Sequence, residues 1–229
     1  MSVGTKLELI ADAVYEKGKQ AEWSEFWDAL QQNGNRTNYS YAFYGESWTD
    51  ENFKPKYDIK PTIATSLFYG SKIVDLRGII ERQGITMDFS EMTSFSGFLQ
   101  GSDIQYVGIV NVTGATSSLS NIFRDCKSLK EISELVVVES NSFGVQAFTN
   151  CSALYHIRIN GVIGSGFYLS SAPLDRDSIV SVVSSLSNTA SGKTLSLKKT
   201  AVTNAFGSTD SDEWKNLIAT KSNWTITLS

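Results

Sequence analysis

One stretch of this chain repeats another without a gap. Ile122-Phe123-Arg124-Asp125-Cys126-Lys127-Ser128-Leu129-Lys130-Glu131-Ile132 aligns with Ala147-Phe148-Thr149-Asn150-Cys151-Ser152-Ala153-Leu154-Tyr155-His156-Ile157, a shift of 25 residues. The same step upstream finds Phe98, Gly101, Ile104 and Val107, with Gly101 in the cysteine position. A weaker copy runs from Leu67 through Gly70 and Ile73 to Leu76, a longer step of 31 residues away. The template is an aromatic or Leu, a small residue three later, then two aliphatics at the same spacing. A β-prone run follows each copy: Ile79-Ile80, Gly108-Ile109-Val110, Leu135-Val136-Val137-Val138 and Arg158-Ile159. Polar turns such as Asn111-Val112-Thr113-Gly114 come next. A unit this short cannot close a core by itself, so its apolar faces are buried only by stacking, which predicts a solenoid. Phe98, Phe123 and Phe148 are expected to form one buried ladder, and Ile104, Leu129 and Leu154 another.

A solenoid must cover the apolar faces of its terminal repeats, and both flanks carry patterns suited to that. Leu7, Ile10, Ala11 and Val14 share one helical face, as do Trp23, Phe26, Trp27 and Leu30, predicting helices over roughly 5–17 and 22–32. An aromatic loop follows. Toward the other end, Asp175 is placed to cap a helix bearing Ile179, Val182, Val183 and Leu186, and Thr194 to Leu197 reads as a strand. Asp210 with Glu213 has capping-box spacing ahead of Trp214, Leu217 and Ile218, and Trp224 to Leu228 alternates as a final strand.

The arc residues resemble the leucine-rich repeats of BspA-like bacterial surface proteins, in which aromatic, two residues, Cys, two residues, Leu alternates with a short strand. The isoleucine-proline strand ending common in that family is absent. Phe26-Trp27-Asp28, Asn33-Gly34-Asn35-Arg36, Trp48-Thr49-Asp50, Phe53 to Ile59, Gly192 to Leu195 and Trp214 to Trp224 are similar to phage or prophage proteins that carry such repeats. Leu9 to Lys17 is similar to the start of phage tail-associated proteins. The fold expected is therefore a leucine-rich-repeat-like, mixed α/β solenoid over 61–174, with an N-terminal helical and aromatic cap over 1–60. A C-terminal helix-strand-helix-strand cap is expected over 175–229. The resemblance implies a virion-associated binding or adhesion protein; a decoration or assembly protein of the particle and a polysaccharide depolymerase are the alternatives.

Charge narrows the partners. A formal net charge of −4 and an isoelectric point near 5.1 leave no basic footprint for nucleic acid or an anionic membrane. Met1 to Lys6 runs into a pattern containing Glu8 and Asp12, with no apolar signal-peptide core, so the expected setting is the virion, or the host cytoplasm before release. The expected partner is a protein or a cell-surface glycan, with other virion proteins reached through the first helix.

Catalytic residue types are scarce. His156 is the only histidine, and the template sets it at the start of a strand facing outward. Cys126 and Cys151 hold equivalent template positions, which suits buried free thiols; a disulfide between neighbouring rungs is the alternative. Two Cys and one His do not make a zinc site. Asp88 with Glu91 and Asp50 with Glu51 are the carboxylate pairs a glycosidase reading would require, and solvated turn acids explain them as well. No cofactor site is expected, because Gly161 to Gly166 lacks the lysine and helix of a phosphate loop.

Binding is expected on the outward face of the stacked strands, at Gln105, Tyr106, Lys130, Tyr155 and Arg158, where side chains recur at fixed spacing. The aromatic segment supplies secondary candidates in Tyr41, Tyr44 and Trp48, which alternatively roof the first repeat.

Overall fold

The computed structural model of the protein describes residues 38–55 and 57–229. The helices expected over 5–17 and 22–32 lie outside the described residues. The chain forms a repeat solenoid whose rungs pair in parallel. Strands β1 (Tyr106–Asn111), β2 (Glu131–Val137) and β3 (His156–Gly161) make a sheet in the order β1-β2-β3. Tyr106 is in register with Glu131 and His156, and Val107 with Ile132 and Ile157. On the arc, Gly45 N donates to Tyr69 O at 2.8 Å, Gly70 N to Gln100 O at 2.9 Å, Gly101 N to Arg124 O at 2.9 Å and Asp125 N to Thr149 O at 2.8 Å. Among the described residues, pairing extends further upstream than the template is recognisable, with Tyr39 N donating to Ile63 O at 2.7 Å.

The arc does not keep the strand register throughout. Leu99 N donates to Ile122 O and Gly101 N to Arg124 O, which sets Leu99 beside Phe123 and Gly101 beside Asp125, one residue out of step with the strands. Ser102, not Gly101, therefore occupies the cysteine position, with its Oγ 3.8 Å from Cys126 Sγ. The cause is a turn that demands left-handed backbone just before the buried small residue. Gly70, Gly101, Asp125 and Asn150 sit there at φ 66°, 67°, 61° and 61°, and Gly45, at φ 92°, makes the same kind of turn ahead of the exposed Glu46; Gly, Asp and Asn are the residues that tolerate it best.

This slip alters the aromatic ladder. Phe123 stacks on Phe148 at 5.0 Å between centroids, and Phe148 contacts Phe167 at 5.1 Å. Phe98 is buried but packs with Phe89 and Phe95, at 5.0 and 5.5 Å, while Leu99 takes the rung beside Phe123. Ile104, Leu129 and Leu154 are all buried, as expected.

Cys126 and Cys151 are free and buried. Their Sγ–H groups donate to Leu99 O at 2.9 Å and Phe123 O at 3.0 Å. Burial pushes the Cys126 thiol up to about 12 and raises Cys151 as well. These are packing residues with no thiolate character.

A helix borders each edge of the sheet. Ile79-Ile80, expected in a strand, lies in helix α1 (Leu76–Gln83), because Asp75 caps its start by accepting Gly78 N and Gly84 ends it at φ 63°. Asp75 bridges to Tyr106 on the β1 side. Helix α2 (Arg176–Ser184) starts after Asp175, as predicted. The Ser178 and Ser181 hydroxyls accept Ile157 N and Ile159 N, each at 2.9 Å, so the free edge of β3 is satisfied by side chains. Beyond it, β4 (Phe167–Leu169), β5 (Lys193–Leu197) and β6 (Trp224–Leu228) form a second parallel sheet. Helices α3 (Lys199–Phe206) and α4 (Asp212–Ala219) join β5 to β6. Strand β4 and helix α3 are additions to the expected helix-strand-helix-strand order. The cap of α4 is Ser211, whose Oγ accepts Trp214 N at 3.3 Å, rather than Asp210.

Candidate functional site

Parallel pairing converts the repeat into rows of side chains across the sheet. Gln105, Lys130 and Tyr155 begin successive rungs: Lys130 N donates to Gln105 O at 2.8 Å and Tyr155 N to Lys130 O at 3.0 Å. The next row is Tyr106, Glu131 and His156. Arg158 lies further along β3. Burial alternates along β3, with Ile157 and Ile159 inward and Arg158 outward, so the apolar residues that stack the solenoid also fix the outward set. Tyr155 is 42% exposed and the Arg158 side chain 70% exposed, the two most open of the five candidates. Gln105, Tyr106 and Lys130 are partly covered.

Polar neighbours order this face. The Arg77 guanidinium, from α1, pairs with Glu131 and donates to Ser133 Oγ at 3.2 Å, while Ser133 Oγ donates to Glu131 at 3.0 Å. Arg77 and Lys130 both approach the Tyr106 ring, at 5.4 and 5.6 Å from its centroid. Glu134 holds Arg158 at 3.9 Å and accepts Asn160 Nδ2 at 2.9 Å. His156 is half-covered rather than a bare surface histidine, with its Nδ1 2.8 Å from Asp175 Oδ2. Burial pushes the Asp175 carboxyl up, but hydrogen bonds from Ser178 and His156 outweigh it and leave it below the ordinary carboxylate value. The nearby Ser178 hydroxyl is fully buried and engaged with Ile157 N, so it does not face solvent as a nucleophile would.

Gly108, on β1, leaves a shallow notch of about 210 Å³ beside Arg77, lined also by Ile80, Met87 and Ile109. Ile109 is 61% exposed at its rim. The residues that sequence reasoning missed here are Arg77, Glu131, Ser133 and Asp175. Glu131 follows Lys130 directly and belongs to the row of Tyr106, a relation that rung pairing supplies. Arg77 was hidden because Ile79-Ile80 reads as strand.

The secondary candidates separate. Trp48 is 3% exposed, with its ring 5.2 Å from Phe43 and 6.3 Å from Phe53, so it is core and presents no ring to a ligand. Tyr41 is 57% exposed and meets Tyr44 edge-on at 5.7 Å, and Tyr44 stacks on Tyr69 at 5.1 Å.

Among the described residues, no group of three or more His, Cys, Asp and Glu side chains is disposed to hold a metal ion, and no helix is long and apolar enough to cross a membrane. Asp50 ties its rung to the next by accepting Val74 N at 2.6 Å, and Asp88 acts in a turn, accepting Ser90 N at 3.0 Å. The Ser90 hydrogen bonds hold the Asp88 carboxyl below its ordinary value. Set against known proteins, the chain matches no family model, no curated protein and no solved structure.

Proposed function

We propose that this protein is a non-enzymatic recognition module of the BspA-like leucine-rich-repeat type, encoded by a phage or prophage and carried on the particle. The end segments act as caps, and the outward strand face engages a protein partner. The observation that carries this reading is the alignment of Gln105-Lys130-Tyr155 and Tyr106-Glu131-His156 across three parallel strands. Side chains held by Arg77, Glu134 and Asp175 lose little freedom on binding, and a broad ordered face suits a macromolecule better than a small metabolite. The notch at Gly108 adds room for one apolar anchor beside a guanidinium, the arrangement on which interface energy concentrates. The phage setting rests on the resemblance of the flanking segments, such as Phe26-Trp27-Asp28 and Trp48-Thr49-Asp50.

The test is titration of fluorescently labelled protein onto bacterial cells, with and without protease treatment of the cells. Saturable, protease-sensitive binding is expected. Tyr155→Ala with Arg158→Ala should weaken it by about 1–3 kcal/mol with an unchanged melting temperature, the behaviour of interface anchors. Protease-sensitive binding that the double variant leaves intact rules out the strand face as the binding surface.

A further inference from the structure

We propose a second binding surface on the arc, a strip formed by Tyr41, Tyr44, Tyr69, Gln100, Arg124 and Gln146 that takes a linear, uncharged polysaccharide. It is separate from the strand face and does not depend on that reading. In four successive rungs the residue that precedes the left-handed turn is half-buried: Tyr44 before Gly45, Tyr69 before Gly70, Gln100 before Gly101 and Arg124 before Asp125. The backbone bonds Gly45 N to Tyr69 O, Gly70 N to Gln100 O and Gly101 N to Arg124 O stack these residues in one row.

Three observations point to a ligand. First, Tyr41 holds φ 58°, a conformation costly for a bulky side chain, and yet its ring is 57% exposed. The equivalent backbone positions in the next rungs, Ser66 and Gly97, are also left-handed and carry little or no side chain. Burial does not compensate for a tyrosine here, and strain that packing leaves unexplained collects at functional sites. Second, Tyr44 and Tyr69 stack face to face at 5.1 Å and 12° between planes, and Tyr41 meets Tyr44 at 62°, so the exposed Tyr41 ring stands at an angle on a fixed aromatic stack. Gly97 is buried, and a Cβ there would meet Ser66 Oγ at 3.0 Å, Tyr69 at 3.5 Å and Gln100 at 3.6 Å, so the backbone packs closely against residues of the row. Third, planar polar groups follow the aromatic stack along the rungs, with Arg124 Nη1 donating to Gln146 Oε1 at 3.1 Å. Beside them Arg124 Nε and Asn121 Oδ1 are buried without a hydrogen-bond partner, although Asp125 Oδ2 lies 3.3 Å from that Nε.

The chemistry selects the ligand. Aromatic faces take the C–H faces of pyranose rings while their hydroxyls and the adjacent amides take sugar hydroxyls. The charge of Arg124 is balanced by Asp125, and the remaining groups are neutral, which favours an uncharged glycan. Rungs recur at roughly 4.8 Å, so the row from Tyr44 to Arg124 offers aromatic and then hydrogen-bonding side chains at fixed spacing along an extended polymer.

Affinity electrophoresis through gels containing mixed-linkage β-glucan, xyloglucan, galactomannan or dextran tests this, with heparin as the anionic control. At least one neutral polysaccharide should retard the protein. Tyr41→Asn, which keeps a residue tolerant of positive φ, and the surface change Gln146→Ala should each raise the dissociation constant about tenfold without altering the melting temperature. Tyr155→Ala with Arg158→Ala should leave retardation unchanged. Migration unaffected by every neutral polysaccharide, retardation by heparin alone, or full retardation of both strip variants overturns the assignment. A strip whose variants instead lose only protease-sensitive cell binding belongs to a protein partner, which also overturns it.

Discussion

The Ser178 hydroxyl on α2 accepts the backbone N–H of Ile157 on β3 at 2.9 Å, standing where the carbonyl of a further strand would stand. The solenoid sheet thus ends against a helix whose serines meet its edge. Ser178→Ala leaves that buried N–H without a partner and should cost about 1–3 kcal/mol in urea unfolding. With Ser181→Ala added, the exposed edge should also raise self-association, measured by sedimentation velocity.

Gly101 and Gly70 lie at φ 67° and 66°, with nothing within 4 Å of where a Cβ would sit. Gly101→Ala therefore meets no steric obstacle and isolates the cost of left-handed backbone, about 1–2 kcal/mol by denaturant titration. A neutral effect would mean that the turn is not left-handed there. Asn150→Ala should lose more than the backbone cost alone, because Asn150 Nδ2 also donates to Asp125 Oδ1 at 2.6 Å.

Much of this architecture is legible in the amino-acid sequence because apolar spacing is a direct consequence of stacking. The copies at Phe123 and Phe148 keep one length from the arc to Ile132 and Ile157, so their alignment carries over to space there, before the register of β2 on β3 shifts by one residue between Ile132 and Leu135. The copy at Phe98 is one residue shorter between its small residue and Ile104, and a gapless comparison matches Gly101 to a cysteine by size. The deciding property is backbone handedness, which Gly101 shares with Asp125 and Asn150 despite dissimilar side chains. Helix α1 escapes detection because Ile79-Ile80 satisfies a strand pattern, whereas its ends are set by Asp75 and Gly84. The candidate face is half visible: Lys130, Tyr155 and Arg158 follow from periodicity, but Arg77 and Asp175 reach it from other elements.

Acid should loosen the α2 border. Asp175 has a depressed carboxyl in the folded state, so its contribution is complete above the unfolded value near 3.8 and is lost as pH falls through the lower folded value. Unfolding free energy should drop below about pH 4, and Asp175→Asn should reduce that drop. An acid dependence identical in the variant would show that Asp175 contributes none of it.

Phe123 is fully buried and stacked on Phe148, and Phe123→Ala should cost about 3–5 kcal/mol. Leu99→Ala should fall in the range for a buried leucine, about 2–5 kcal/mol, because Leu99 occupies the same rung position. Calorimetric unfolding of both variants checks the pair.

The slip of the arc against the strands decides how the rungs stack, and one covalent measurement reads that arc register. Ser102 Oγ lies 3.8 Å from Cys126 Sγ, whereas Gly101 aligns with Asp125. In a Cys151→Ser background, Ser102→Cys and Gly101→Cys proteins are refolded under oxidising conditions and mapped by mass spectrometry of non-reduced peptides. The new thiol at position 102 should bridge to Cys126 and one at position 101 should stay free, since a disulfide tolerates Cβ separations of only about 3.5–4.5 Å. A bridge to Cys126 from position 101, with none from position 102, would contradict the arc register and the strip built on it.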